Sequence, residues 1–351
     1  MILIQSLVLA GVLVRLGKNV LKKHPVVCYG VASMISLAVV WIVWSGVETG
    51  DTWFLPAFLQ GGLAGSLFII VMFAGAVPNG SPYMRYIMPI RGELSIIASI
   101  LTLGHNIAFG KTYFLSLFSR TAMAANVKLA AICSLVMILI MLPLFLTSFR
   151  CIRRKMKGKS WKRLQRLAYL FYGLMYIHVL LLNLPAVPLR VSAKINVFLY
   201  SMVFFVYADM RIGKYLKKRG KCSRIKYLHF FFGIFFLLVC AGVVRSEARP
   251  VELSDAVSYM DGVYSGSGMG YNGPLRVEVT IENGELTDIQ VQSSVDDAPY
   301  FQKAVNHTIP AVLEQQSPEV DITSGATYSS AGLKAAIRDA LAAARQEDFE
   351  S

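Results

Sequence analysis

The sequence predicts a polytopic α-helical membrane bundle of seven or eight spans, followed by a small α+β domain outside the cytoplasm. Three observations carry that expectation. Of 351 residues, 55% are hydrophobic and only 16% are charged, with mean hydropathy +0.53, a membrane composition with a soluble part. Apolar runs able to cross a bilayer occur near 26–45, 54–77, 94–110, 127–149, 167–187, 193–209 and 228–245. The charge is also divided: residues 1–245 hold 29 Lys and Arg against 4 Asp and Glu, whereas residues 246–351 hold 6 against 17. The basic character therefore belongs to membrane-flanking segments in contact with lipid and gives no indication of nucleic-acid binding.

Along the chain, the first fourteen residues are apolar but short, and they lack a basic n-region or an Ala-x-Ala cleavage site. They read as an eighth span or an interfacial helix rather than a signal peptide. Residues 15–24 carry Arg15, Lys18, Lys22 and Lys23, loop 150–166 holds nine Lys and Arg, and loop 211–226 holds eight. Between them, 46–56 carries only Glu48 and Asp51, and 185–194 only Arg190 and Lys194. The positive-inside rule puts the strongly basic loops in the cytoplasm and everything after Val244 outside. Loop 78–93 is weakly charged and decides nothing. The expected segments are 1–25 (apolar segment and basic loop), 26–210 (helical bundle), 211–245 (basic loop and last span), 246–258 (linker) and 259–346 (soluble domain).

Cys28, Cys133, Cys151, Cys222 and Cys240 all precede the soluble domain, and none forms a Cys-x-x-Cys pair. Thiol chemistry is not expected.

Two histidines fall deep in spans. His105 lies eleven residues past Leu94 and His178 eleven past Leu167. Both helices run outward, so at 1.5 Å per residue both imidazoles sit roughly 16 Å in. Matched imidazoles can ligate a heme iron from both faces, or each can hydrogen-bond a neighbouring helix.

In the soluble part, Tyr264–Ser267 begins a strand. Leu275, Val277, Val279 and Ile281 alternate, Asn283-Gly284 marks a tight turn, and Leu286, Ile289 and Val291 return. Residues 299–313 read as a helix interrupted at Pro310. An extended run over Glu319–Ile322 leads to Asp321-Ile322-Thr323-Ser324-Gly325-Ala326-Thr327, and Leu333, Ile337 and Leu341 then mark a helix. Thr327 thus sits on a strand-to-helix turn, where it is either an ordinary cap or a place for a phosphate. Gly268-Met269-Gly270-Tyr271-Asn272-Gly273 fits the dinucleotide pattern, but a Val-rich run follows instead of a helix, so a hairpin turn is expected. No Rossmann or P-loop module is evident. His229 and His307 are expected to be structural or solvated, and the Phe-rich run 229–239 to face lipid.

Asp321, Ser324, Gly325, Ala326 and Thr327 resemble the flavinylation motif of the FMN-binding domain family, Asp-x-x-Ser/Thr-Gly-Ala-Thr. Similarity extends upstream through Asp261-Gly262-Val263-Tyr264, Gly270-Tyr271-Asn272-Gly273 and the Val277–Val291 hairpin. The resemblance implies FMN joined covalently to Thr327 through a phosphoester, placed there by an FAD-dependent flavin transferase, in a domain working outside the cytoplasm. Residues 26–210 resemble the six-helix ferric reductase-like transmembrane domain. This likeness is carried by Arg91 fourteen residues before His105, and by Trp161-Lys162-Arg163-Leu164-Gln165-Arg166-Leu167-x-Tyr169 ahead of His178. It implies heme b ligated by His105 and His178. Arg91 and Gln165 stand where two-heme members place a second ligand pair, and neither is a usual ligand, so one heme is expected.

Together the resemblances imply a flavin- and heme-dependent oxidoreductase of the bacterial cytoplasmic membrane. It would carry electrons from quinol or a cytoplasmic dehydrogenase to an extracytoplasmic acceptor. A redox sensor, or a structural subunit of an ion-pumping complex, are the alternatives.

Overall fold

The computed structural model describes residues 2–45, 54–118, 124–187, 191–221, 223–245, 259–323 and 326–345. The chain divides into two compact units, Met1–Phe114 with Leu129–Glu247, and Leu115–Lys128 with Ala248–Ser351.

The first unit is helical: α1 (Ile2–Lys23), α2 (Pro25–Ser45), α3 (Leu55–Leu59), α4 (Gly62–Ala76), α5 (Pro82–Ile87), α6 (Arg91–Phe118), α7 (Ala125–Leu146), α8 (Arg150–Lys155), α9 (Gly158–Gln165), α10 (Leu167–Asn183), α11 (Val191–Lys218) and α12 (Ser223–Arg245). Among the described residues, seven helical segments are long and apolar enough to cross a membrane, and α4 is a shorter apolar helix. The N-terminal segment is longer than its first fourteen residues suggest. All 22 residues of α1 are helical, about 33 Å of helix, which matches a bilayer core. Its basic end is therefore helix rather than loop, and the Lys18 ammonium lies 3.4 Å from the centroid of the Tyr86 ring. Leu3, Ala10, Val14 and Leu21 are buried as α1 packs on α4.

The apolar run 54–77 is not one helix. Gly61 adopts φ 70°, a left-handed conformation that separates α3 from α4 and suits glycine. Basic loop 150–166 contains the two short helices α8 and α9. Trp161 donates its indole N–H to the Thr147 carbonyl at 3.2 Å, and the Gln165 amide donates to the Thr147 hydroxyl at 3.3 Å. The first of these bonds serves the carbonyl end of α7, whose last turn lacks helical partners. The acid of α6, Glu93, accepts from Arg150 at 2.6 Å.

The second unit contains an antiparallel sheet in the order β1 (Gly262–Met269), β2 (Pro274–Glu282), β3 (Glu285–Ser293), with α13 (Ala298–Gln315) and α14 (Thr327–Ala343). Alternation along β2 places Leu275, Val277, Val279 and Ile281 in one core with Leu333, Ala336, Ile337 and Ala340 of α14. Asn283 and Gly284 have φ 56° and 77°, as a two-residue hairpin turn of the expected kind requires. The Gly284 amide donates to Asp261 at 2.8 Å. This bond and one from the Asn283 amide hold the Asp261 carboxyl below its ordinary pKa.

Two local expectations fail. α13 runs unbroken through Pro310. The buried stripe of Ala304, Thr308 and Val312, spaced four apart, stabilises the helix against the lost backbone bond. The run before the motif is not a strand: residues 319–323 have no regular structure. Val320 is buried there, but its carbonyl accepts from the Lys334 ammonium of α14 at 2.5 Å, which replaces a strand partner.

Candidate functional sites

The two deep histidines come together in the helical unit. His105 of α6 and His178 of α10 line one pocket with Phe68, Met137, Met141, Phe171, Met175 and Tyr200. The pocket is partly open to its surroundings. His105 Nδ1 lies 3.0 Å from the Leu59 carbonyl. His178 Nδ1 lies 3.2 Å from the Ala130 carbonyl and 3.2 Å from Ser134 Oγ. A carbonyl can only accept, so both Nδ1 atoms carry the proton and both Nε2 atoms keep a free lone pair. Neither Nε2 has a hydrogen-bond partner among the described residues. Holding Nδ1–H on a backbone carbonyl is how proteins orient metal-binding imidazoles.

The Gly61 break explains the first of these contacts. A Cβ there would lie 3.3 Å from His105 Cγ, so glycine lets the ring sit close enough for Nδ1 to reach Leu59. Two imidazole donors in one pocket, lined by apolar residues together with Gln60, Thr102, Asn106 and Ser134, are a donor set that fits heme iron. Arg91 and Gln165 do not line this pocket. Sequence reasoning did not find Leu59, Ala130 and Ser134, because two are backbone carbonyls and the serine has no distinguishing pattern. No grouping of three or more His, Cys, Asp or Glu suited to a metal occurs among the described residues.

In the second unit, Thr327 is the first residue of α14, with Ala326 at its N-cap. Ser324 and Gly325 lie outside the described residues. Asp321 falls in the irregular segment ahead of the helix. Thr327 is 2% exposed, and its hydroxyl has no hydrogen-bond partner among the described residues; the same holds for Ser330 Oγ and Asn272 Oδ1. Buried polar atoms without partners are rare in a finished fold. At a helix N-terminus, where free amides favour an anion, they fit a phosphate-bearing group.

Asp296 organises the neighbouring turn. It accepts from the Asn272 amide at 2.7 Å and from the Ser329 hydroxyl at 2.5 Å. A Cβ on Gly270 would lie 2.5 Å from its carboxylate, which explains the glycine. The Tyr271 and Tyr328 rings meet at 5.1 Å. The glycine pattern at 268–273 is thus the close of β1 and its turn into β2, as expected, and not a nucleotide loop.

A third feature is His229, whose Nδ1 lies 2.7 Å and 2.8 Å from the two carboxylate oxygens of Asp209. It is hydrogen-bonded between α11 and α12, the structural half of the expectation.

An apolar bundle with paired imidazoles, and a small domain with a buried threonine hydroxyl that has no partner among the described residues, fit a flavin-linked membrane redox protein. Residues 60–176 match the ferric reductase like transmembrane component, and residues 270–342 match the FMN-binding domain. The first match includes His105 and stops two residues short of His178; the second includes Thr327. A protein of Treponema pallidum (strain Nichols), described only as uncharacterized, is 36% identical over 352 residues, covering 96% of this chain and 97% of its own. The chain belongs to the same family as that protein. The NADH:acrylate oxidoreductase of Vibrio harveyi is 31% identical over 108 residues, 30% of this chain and 11% of that protein. No solved structure matches the chain.

Proposed function

We propose that the protein carries electrons across the bacterial cytoplasmic membrane to an acceptor outside, by way of one b-type heme and an FMN esterified to Thr327. The single observation that carries this reading is the shared pocket of His105 and His178, with both Nδ1 atoms engaged by backbone carbonyls and both Nε2 atoms free. When bound, heme supplies one-electron transfer inside the bilayer, and FMN supplies an exchange between one- and two-electron chemistry at the surface.

The residues divide the work. Leu59, Ala130 and Ser134 hold the two imidazoles in the ligating tautomer. Phe68, Met141, Phe171 and Met175 supply the apolar part of the pocket's lining. Thr327 offers the ester oxygen, while Asp321, Ser324, Gly325 and Ala326 form the sequence recognised by an FAD-dependent flavin transferase. Asp296 ties the 270–273 turn to α14 beside that threonine. The acidic domain lies outside the cytoplasm under the positive-inside rule. The electron donor is membrane quinol or a cytoplasmic dehydrogenase. The Vibrio harveyi relative acts, by its name, on acrylate, which supports a small organic acceptor for this chain.

The ion-pumping alternative draws less support. Glu93 and Asp209 lie near the span ends, and each is held by a neighbouring side chain, Arg150 and His229 respectively. The test is purification after co-expression with a flavin transferase. The absorption spectrum should show a low-spin heme, and the peptide containing Thr327 should gain one FMN less one water. Covalent FMN persisting in Thr327→Ala would defeat the assignment, as would a heme-free protein that still reduces its flavin.

A further inference from the structure

The Asp209–His229 pair has no part in the two cofactor sites, yet its surroundings are specific. α12 has no buried residue, and its His229 reaches across to Asp209 of α11. The His229 side chain is 57% exposed and that of Asp209 21%. Nδ1 of His229 is engaged by the carboxylate, and Nε2 has no protein partner among the described residues. One turn further along α12, Phe232 packs on Phe205 of α11 at 6.2 Å. Phe205 in turn meets Tyr176 at 5.7 Å, Tyr176 meets Phe204 at 5.0 Å, and Phe204 meets Tyr200 at 6.5 Å. Tyr200 lines the histidine pocket. Asp209 follows it by nine residues on the same helix, about 14 Å along the axis. A run of aromatic rings therefore leads from the helical turn next to this partly exposed acid–base pair to the candidate heme pocket.

We propose that Asp209 and His229 form the oxidation site of a membrane quinol. The site is partly exposed on an apolar helix long enough to span a bilayer, offers a hydrogen-bond acceptor beside a carboxylate, and stands one turn inside the basic end marked by Arg224 and Lys226. A quinol presents a hydroxylated ring at that depth and an apolar tail to the bilayer. It reaches the face laterally, which a protein dehydrogenase cannot do. In the reaction the quinol loses two electrons and two protons and becomes the quinone. Each hydroxyl proton in turn passes to His229 Nε2, with Asp209 stabilising the imidazolium, and leaves to the cytoplasmic side. The electrons pass one at a time to the heme assigned above and on to the FMN, which takes both, so the inference rests on that assignment.

The experiment mixes the purified, cofactor-loaded full chain with duroquinol and follows the heme band, using dithionite to establish how much heme is reducible. Wild type should be reduced by duroquinol. His229→Ala and Asp209→Asn should slow that reduction at least ten-fold, with dithionite-reducible heme and FMN content unchanged. His229→Asn, close in shape, should be equally slow. Wild-type rates in the variants would overturn the proposal, as would a wild type reducible by dithionite and inert to duroquinol; both leave the heme assignment standing. Absence of any heme band would remove the assignment and the inference with it. An azidoquinone photolabel on wild type gives a measure independent of variant folding. Label on the peptides holding Asp209 or His229 supports the site, and label confined to other helices contradicts it.

Discussion

Gly268→Ala is the substitution whose effect the second unit defines most sharply. A Cβ at Gly268 would lie 2.1 Å from the Gly332 carbonyl oxygen and 2.7 Å from the Ala336 amide nitrogen, both backbone atoms of α14. Neither can rotate away, so α14 must move by about 1 Å to restore ordinary contact. Overpacking of this sort costs about 1–3 kcal/mol. The lower unfolded-state entropy of alanine returns roughly 0.5–1 kcal/mol. With backbone on both sides the cost belongs at the upper end, leaving a net loss of about 2 kcal/mol, which changes a folding equilibrium by a factor of roughly 30. The displaced helix begins at Thr327, so the hydroxyl moves with it. The assay measures, in full-length protein co-expressed with the transferase, the fraction of Thr327 peptide bearing FMN and the protease resistance of the soluble domain. Both should fall while the heme band holds, since the two units have separate cores. Gly242→Ala, with nothing within 4 Å of the added carbon, should change neither. Full flavinylation and unchanged resistance in Gly268→Ala would refute the packing argument.

Other outcomes follow from the same geometry. His105→Ala or His178→Ala should abolish or strongly alter the reduced-minus-oxidised heme bands and leave Thr327 flavinylated, as absorption and peptide mass would record; two hemes per chain in the wild type would contradict the single ligand pair. Asp261, whose folded pKa is held down by the Gly284 and Asn283 amides, adds stability that is present above its ordinary value of about 3.9 and is lost as pH falls through the lower folded value. The calorimetric transition of the soluble domain should therefore lose part of its acid sensitivity in Asp261→Asn, and an unchanged pH profile would discount the contact. A reporter active only outside the cytoplasm should work when fused after Ser246 and fail when fused within 153–160; the reverse pattern would put the flavin with the cytoplasmic pool.

Long-range order was the most legible part of the chain. Hydropathy and charge marked the helical unit because a bilayer demands apolar length and basic flanks, and strand alternation with Asn283-Gly284 marked the hairpin. The equal spacing of His105 and His178 was readable because helix rise converts residue number into depth. What was hidden depends on tertiary contacts. The Gly61 break lies inside an apolar run that continues on either side. The irregular segment at 319–323 had strand-like residues, but its buried carbonyl is satisfied by a lysine fourteen residues away. Pro310 looked disruptive because a local rule cannot see the buried stripe beneath it. Asp296, which no motif marked, became visible only when the fold brought it against Gly270, Asn272 and Ser329.

The central claim is that electrons reach the flavin through the histidine pocket, and rapid-mixing spectroscopy on the loaded protein tests it most directly. After mixing with a reductant confined to the cytoplasmic side of proteoliposomes, wild type should show the heme band reduced first and the flavin bleached after it. In Thr327→Ala the heme should still be reduced, with no flavin signal following. In His178→Ala the flavin should remain oxidised although it is present. Bleaching of the flavin at the wild-type rate in His178→Ala would contradict the account.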